Sequence, residues 1–357
     1  MPSSSSNATN SSPVRTLITT TVTGRSPPTT EETTVPFDPS DPFPTSITRV
    51  LKLDLQGYVS GEDQATATSH LQHITQEDTT KDPSERIDTV RFSAPREEQW
   101  PAVDGLSPIH LEVQANVDES IDLSPLDKFK HPWTALRTFR MGSVCSFEEW
   151  PTLITSQVES IDLDYSHAIH WTSSGGFPNL KRLKIEENNA IDMFLFAMKE
   201  TPGLLGRLEV LHLQSTIGCD LQNDFTPRNL QMKLRRCHVL KDLGIALAQE
   251  DSDLGLARYL PRSLERLELR CTMSRVMLED LDEWVAHANN PKWLPSLKYF
   301  VLKYNANIIE GRPRDRTDDV ESLAPQFDAK IALVYAALER RSPPVRWCAP
   351  RLKLREA

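Results

Sequence analysis

The residues whose types and spacing could best support metal binding or catalysis lie between positions 162 and 170. Asp162, Asp164, His167 and His170 place two carboxylates and two imidazoles in one short segment. Such groups can ligate a transition metal or transfer protons. The segment, however, predicts a strand and its exit turn, so the four side chains need not converge, and the HExxH spacing is absent. We therefore expect structural residues here, with Asp164 and His167 as candidate surface contacts.

Other catalytic signatures are missing from the sequence. There is no GxSxG nucleophile turn, no GxxxxGK[ST] phosphate loop and no GxGxxG dinucleotide turn. The Ser-Ser-Gly-Gly run at 173–176 precedes Phe177-Pro178, which predicts a turn and not the start of a helix. Cys237 and His238 are adjacent, but adjacency in the chain does not create a nucleophile and its base. The sequence therefore predicts no catalytic residues and no cofactor.

Five cysteines are scattered along the chain, at positions 145, 219, 237, 271 and 348. An odd number without a CxxC pair or a Cys/His cluster argues against a disulfide framework and against a structural zinc site. Reduced thiols fit a cytoplasmic or nuclear protein. We accordingly predict no bound metal and a cytoplasmic or nuclear location.

Composition excludes several partner classes. The 357 residues carry a formal net charge of −10, and the pI is about 5.5, so the uniformly basic footprint of a nucleic-acid-binding protein is missing. No stretch approaches the roughly 20 apolar residues of a membrane helix. Ser, Thr and Pro dominate residues 1–46, which therefore predict a disordered tail. We expect neither nucleic acid nor a membrane as partner.

A six-residue pattern recurs through the rest of the chain, with apolar residues at its first, fourth and sixth positions. Its alternation is typical of a half-buried strand. From the first clear copy onward the spacings are 22, 22, 28, 32, 24 and 33 residues. The clear copies begin at Leu136, Val158, Leu180, Leu208, Leu240, Leu264 and Leu297, and weaker copies begin at Val50, Ile87 and Leu106.

These repeats resemble the leucine-rich-repeat family, whose unit runs LxxLxLxxN. Two copies carry the full form, at 180–188 and 297–305. In both, the first leucine is preceded by a Pro-x dipeptide. The irregular repeat lengths resemble those of fungal F-box-type proteins. The resemblance implies an α/β fold for residues 47–318, namely an irregular leucine-rich-repeat solenoid with a curved parallel sheet and helices on its convex side.

Helical segments are expected between the strands and at the C-terminus. Residues 189–200 and 274–288 each place apolar side chains on one helix face. Residues 319–357 predict a capping helix and tail, in which the helix runs from Asp328, its N-cap, to Arg341. Residues 57–86 are polar and poorly patterned, which predicts an inserted loop. Trp150 has two interpretations, a packing residue or an interface anchor.

Stacked sextets would turn their variable residues toward the concave surface. The central position reads Asp54, Arg91, His110, Arg140, Asp162, Lys184, His212, Gly244, Glu268 and Val301 along the chain. Both charge signs alternate there, which favours a protein or peptide partner over a nucleic-acid backbone. We predict a non-catalytic protein-interaction module, with these contact residues: Arg140, Asp162, Asp164, Arg182, Lys184, His212, Arg266, Glu268 and Arg270.

The alternative hypothesis is a substrate-recognition subunit of a ubiquitin ligase, which the resemblance to F-box-type proteins implies. An F-box requires an apolar helical segment of roughly forty residues before the repeats, and the sequence shows none there. A third possibility, an enzyme on an α/β scaffold, would need several titratable groups in one deep pocket.

Overall fold

The computed structural model describes residues 14–36, 45–55, 60–115, 121–142, 150–164, 176–187, 190–215, 225–246, 255–272, 275–305 and 320–346. The chain divides into two compact units. Unit 1 comprises residues 1–116 and 125–136, and unit 2 comprises residues 117–124 and 137–357. None of the described helices combines the length and apolar content needed to cross a bilayer.

Unit 2 is built on parallel strands that follow one another in chain order, each paired with its sequence neighbours. Every clear sextet forms one of these strands, so the predicted solenoid sheet is confirmed. The strands are β6 (Thr138–Gly142), β7 (Ser160–Asp164), β8 (Arg182–Glu187), β9 (Val210–Ser215), β10 (Asp242–Ala246), β11 (Arg266–Thr272) and β12 (Tyr299–Asn305).

The register of these strands aligns equivalent sextet positions. Leu183 on β8 lies opposite Ile161 on β7 and Leu211 on β9, and the same apolar row continues in both directions. These side chains are buried. A shift of one residue would turn every apolar side chain to the other face, so burial of one face fixes the register.

Among the described residues of unit 2, four α-helices lie between strands on the apolar side of the sheet and a fifth follows the last strand. They are α2 (Thr152–Gln157), α3 (Ala190–Glu200), α4 (Phe225–Arg235), α5 (Arg275–Ala288) and α6 (Val320–Glu339). On α5 the buried Trp284 packs against Phe300 of β12, with ring centroids 6.1 Å apart. The helices predicted at 189–200 and 274–288 are thus confirmed within one residue at each end.

Helix α6 caps the outer edge of β12, but it begins earlier than the sequence predicts. Asp328 lies inside the helix and is not its N-cap, because Leu323 and Phe327 extend the buried stripe toward the N-terminus. The sequence did not predict this longer helix because it contains Pro325, and proline ordinarily marks a helix boundary. The Tyr335 phenol accepts a hydrogen bond from the Leu302 amide at 2.9 Å and donates to the Leu302 carbonyl at 3.3 Å.

Unit 1 contains a second run of strands, which pair side by side as those of unit 2 do. Strands β1 (Val14–Val22) and β2 (Thr29–Pro36) form an antiparallel hairpin, and β1 pairs in parallel with β3 (Ile47–Asp54). The expectation of disorder is therefore wrong for residues 14–36. The Thr-rich segment suits a strand, and pairing along β3 satisfies its backbone although it buries few apolar side chains.

The weaker sextets contain strands, but two of the three are out of register. Strands β4 (Thr89–Ser93) and β5 (His110–Gln114) follow β3 in parallel. Lys52, Arg91 and Glu112 align across the three strands, so the central positions are not occupied by Asp54 and His110 as predicted. Both predictions were displaced by two residues. Alternation preserves the face under such a shift, so the sequence pattern alone does not detect it.

The segment predicted as an inserted loop contains the helix α1 (Gly61–Thr80). Its start carries a capping box, in which the Ser60 hydroxyl accepts from the Asp63 amide at 3.1 Å and the Asp63 carboxylate accepts from the Ser60 amide at 3.3 Å. Ala67, Leu71 and Thr75 form a narrow buried stripe. The S-x-x-D signal was available in the sequence, but the weak apolar periodicity concealed the helix.

Asp78, near the end of α1, links the stability of unit 1 to pH. Its buried carboxylate accepts a hydrogen bond from the Ile87 amide at 2.9 Å, and burial raises the pKa of this group above its usual value. A raised folded-state pKa contributes stability below the unfolded pKa of about 3.8, and this contribution is lost as pH rises through the folded value.

We expect Asp78→Asn to be most stabilising relative to the parent protein at neutral pH, because the amide retains the acceptor oxygen and carries no buried charge. The free energy of unfolding of both proteins, measured in urea between pH 3.5 and 7, gives the difference. This difference should grow in favour of the variant as pH rises. A difference that is constant across this range would contradict the prediction.

Candidate functional site

The face of the unit 2 sheet opposite the helices is lined with polar side chains. Alternation turns three residues of most strands to this face, and the register stacks them into three rows. The central row reads Arg140, Asp162, Lys184, His212, Gly244, Glu268 and Val301. We call this surface the open face.

The first part of the open face, on β6–β8, is an accessible network of ion pairs. The Arg140 guanidinium lies 3.9 Å from an Asp162 oxygen and 3.8 Å from an Asp164 oxygen. Lys184 Nζ lies 3.3 Å from Asp162 and 3.6 Å from Glu186. The side chains of Arg140, Asp162 and Lys184 are 50%, 29% and 30% exposed. Water and a partner can therefore reach these charges.

The second part, on β9–β12, holds a more buried network. The Glu268 carboxylate is only 2% exposed and lies 3.4 Å from Arg266 Nη2 and 3.1 Å from Arg270 Nε. Arg266 Nε also lies 3.8 Å from Asp242, whose carboxylate is 3.2 Å from His212 Nε2. Gly244 and Val301 in the central row are buried too. These charges neutralise one another away from bulk water.

Eight of the nine predicted contact residues thus fall into the two networks, which adjoin where Lys184 of β8 lies opposite His212 of β9 in the register. The ninth, Arg182, lies half-buried on the same face, between Ser160 of β7 and Val210 of β9 in the register. Asp242, which the sequence prediction passed over, joins His212 to Arg266. It occupies the same position in its strand as Arg182 and Arg266, so applying that position to every copy would have found it.

The candidates for chemistry do not form a catalytic arrangement in the described segments. Asp162 and Asp164 are engaged with Arg140, while His167 and His170 lie outside the described residues. In the described part of the chain no group of three His, Cys, Asp or Glu side chains could hold a metal ion. Of the predicted glycine turn only Gly176 is described, with φ 61° in the left-handed region.

The described thiols are poorly suited to nucleophilic chemistry. Burial raises the pKa of the Cys237 and Cys271 thiols to about 12 in each case. Because the thiolate is the nucleophile, both groups are almost entirely protonated at neutral pH. Cys237 donates a hydrogen bond through Sγ to the Lys233 carbonyl at 3.4 Å, and no pairing with His238 accompanies it.

Trp150 is a packing residue, which confirms the first of its two interpretations. Its ring is 6% exposed and contacts Phe139 and Phe177 edge-on, with centroids 5.8 and 5.1 Å apart. Such edge-to-face pairs stabilise apolar cores. The side chain therefore helps to fix β6 beneath the accessible network and is not available as an interface anchor.

A second charged row borders the sheet where its strands begin. One residue per repeat contributes, and the sign alternates without exception: Arg137, Glu159, Lys181, Glu209, Lys241, Glu265 and Lys298. Neighbours pair at 2.9 Å for Lys181 with Glu159 and 2.6 Å for Lys241 with Glu209. These bonds raise the pKa of both lysines. If a repeat stacked against its second neighbour instead of its first, like charges would lie side by side. The alternating row therefore favours stacking in chain order.

An open cavity of about 380 Å³ lies in unit 1 beside α1. Its walls include Gln64, Thr68, Gln72 and Gln99. Gln99 already accepts from the Arg96 amide at 2.6 Å and donates to Thr68 at 3.3 Å. The lining also includes Glu98, but one carboxylate beside neutral amides and hydroxyls does not make a catalytic arrangement.

Comparison with known proteins gives one weak structural similarity and no match in sequence. No known protein-family profile matches the sequence, and no curated protein matches it. Among solved structures, the crystal structure of a TLR13–ssRNA13 complex is similar over 74% of this chain, with 16% identity and a TM-score of 0.33. The match covers 30% of that chain, so this chain spans less than a third of its length. The leucine-rich-repeat-like fold therefore rests on the sextets and their parallel register.

Proposed function

We propose that this chain is a non-catalytic protein-interaction module that binds a protein or peptide on the open face at β6–β8. The accessible network carries this proposal, because it places charged side chains of both signs on a broad and solvent-exposed sheet surface. Solenoid folds present extended surfaces of this kind to their partners. The proposed contact residues are Arg140, Asp162, Asp164, Arg182 and Lys184.

Burial is the reason for restricting the contact surface to β6–β8. Glu268 is almost fully buried between Arg266 and Arg270, so these side chains have little area to offer a partner. In contrast, half of the Arg140 side chain is exposed. The buried network on β9–β12 instead holds the strands in place, and it supports the geometry of the accessible network.

The charges of the accessible network indicate a partner that carries both signs. Arg140, Arg182 and Lys184 are opposed by Asp162, Asp164 and Glu186, so this part of the face is close to neutral. A nucleic-acid backbone would meet three carboxylates, which disfavours it. A protein surface with matched acidic and basic groups can exchange ion pairs with the network, and this complementarity gives specificity more than raw affinity.

The test is affinity purification with the full chain, followed by mass spectrometry, for the parent and for the double variant Arg140→Glu with Lys184→Glu. We expect recovery of a specific partner to fall roughly tenfold, because repulsion replaces attraction at two exposed positions. Lys199→Glu, at an exposed position on α3, is the matched control and should leave recovery unchanged. Circular dichroism verifies that all three chains are folded.

Equal recovery of every specific partner by the parent and the double variant would overturn the proposal. Arg266→Glu is unsuitable for this experiment, since Arg266 is buried beside Glu268 and its reversal would disturb the fold itself.

A further inference from the structure

Strand β2 forms an exposed edge of the sheet in unit 1. Its sequence is TTEETTVP, and every residue except the half-buried Val35 is exposed. Among the described residues its backbone pairs only with β1. Within the described part of the chain this outer edge is uncovered, and up to Val35 it offers amide and carbonyl groups to an incoming strand, whereas Pro36 has no amide hydrogen to donate.

The outer edge of β12 in unit 2 shows how this fold covers an edge. The Phe300 amide donates to the Arg346 carbonyl at 3.0 Å, and the Arg346 amide donates to the Lys298 carbonyl at 2.8 Å. The phenol of Tyr335 covers the next position at Leu302. In the described segments no comparable side chain or strand covers β2, although β2 is the longer of the two.

Charge distinguishes the partners that the β2 edge could accept. Glu31 and Glu32 occupy consecutive positions and therefore opposite faces of the strand. Within the described part of the chain neither has an ion-pair partner. Antiparallel pairing of β2 with a second copy would gather four glutamates near the middle of the strand pair, and such like charges are destabilising. A strand that carries lysine or arginine would instead meet an opposite charge on each face.

We propose that the outer edge of β2 binds an extended, Lys- or Arg-bearing peptide segment as an added strand. Backbone hydrogen bonds to β2 supply the affinity, and Glu31 and Glu32 select basic side chains on the two faces. The β-branched threonines and Val35 hold the edge extended. This site lies in unit 1 and is independent of the open face in unit 2.

Fluorescence polarisation with the full chain tests the proposal. The probe is a labelled eight-residue peptide of Thr and Val with Lys at its two central, consecutive positions, so that one Lys lies on each face of the added strand. One comparison peptide carries Glu in place of Lys, and the other carries N-methyl groups on all its amides, so that neither of its edges can pair. We expect the basic peptide to bind, and both comparison peptides to bind at least about tenfold more weakly. The double variant Glu31→Lys with Glu32→Lys should weaken binding of the basic peptide by about tenfold and favour the acidic one.

The matched control is Glu85→Lys with Glu97→Lys, two exposed glutamates of unit 1 away from β2, which should leave affinity unchanged. Equal binding of the N-methylated peptide would overturn strand addition, because only charge would then matter. Equal binding of the acidic peptide would overturn the assigned partner chemistry. The parent chain could also form a dimer that the double variant Glu31→Lys with Glu32→Lys abolishes. That result would assign the edge to a second copy of the chain and would overturn the proposal.

Discussion

Replacing Glu268 with glutamine is expected to lower the free energy of unfolding by about 2–4 kcal/mol, since removing one member of a buried charge network leaves its partners uncompensated. The shape of the side chain is retained, but Arg266 and Arg270 lose the carboxylate that lies 3.4 and 3.1 Å from them. Both guanidiniums are about nine-tenths buried, so water replaces little of the lost interaction. Urea unfolding followed by circular dichroism measures the change.

The matched control for this prediction is Asp162→Asn in the accessible network. The chemistry of the change is the same, but Asp162 is 29% exposed, and solvent screens its pairs with Arg140 and Lys184. We expect a loss of about 0–1 kcal/mol there. If the two variants lose equal stability, the distinction between a buried structural network and an accessible network is wrong.

Replacing the half-buried Arg341 with alanine is expected to cost about 2–4 kcal/mol, because hydrogen bonds from a charged donor are individually strong and three carbonyls lose theirs together. Its guanidinium donates to the Trp293 carbonyl at 2.8 Å, to Ala288 at 3.0 Å and to Asn290 at 3.1 Å. It also lies 5.5 Å from the centre of the Trp293 ring. Burial lowers the pKa of Arg341, and the carbonyls offset this cost of desolvation.

These contacts join the residues that follow α6 to the C-terminal end of α5, so the loss should appear as weaker attachment of the capping helix. The neighbouring Arg340 serves as the control, because it is exposed and, within the described part of the chain, its side chain hydrogen-bonds only to Asn289, at 3.2 Å. Arg340→Ala should change the free energy of unfolding by less than about 0.5 kcal/mol. Hydrogen exchange of the α6 amides locates the effect. We expect exchange to be faster than in the parent protein for Arg341→Ala and unchanged for Arg340→Ala. Exchange that is unchanged in α6 would contradict this assignment.

The seven clear sextets show which structural features the local apolar pattern predicts. Each places two buried apolar side chains, such as Leu183 and Ile185, on one side of a strand, and burial of that side fixes both strand and register. The open-face residues follow from the same alternation. Arg140, Asp162 and Lys184 therefore lie side by side as predicted, although their distances and exposures could not be predicted.

Unit 1 contains elements that the apolar pattern does not predict. Strands β1 and β2 bury little apolar surface. Their stability comes from backbone pairing, of β1 with β3 and of β2 with β1, which composition does not reveal. Helix α1 likewise depends on contacts outside its own segment, such as the hydrogen bond from the Thr75 hydroxyl to the Ala102 carbonyl at 2.9 Å. Both elements follow from partners that are distant in sequence.

Apolar residues recur at strand spacing along the chain, and this recurrence is enough to predict parallel repeats that stack into a sheet with one polar face. Which charges on that face remain accessible to solvent depends on packing between repeats, and the sequence pattern does not show it. Glu268 and Asp162 occupy the same position in their repeats and carry the same charge, yet one is buried between two arginines and the other is open to water. Alternation sets the direction of a side chain, whereas burial depends on everything that packs around it.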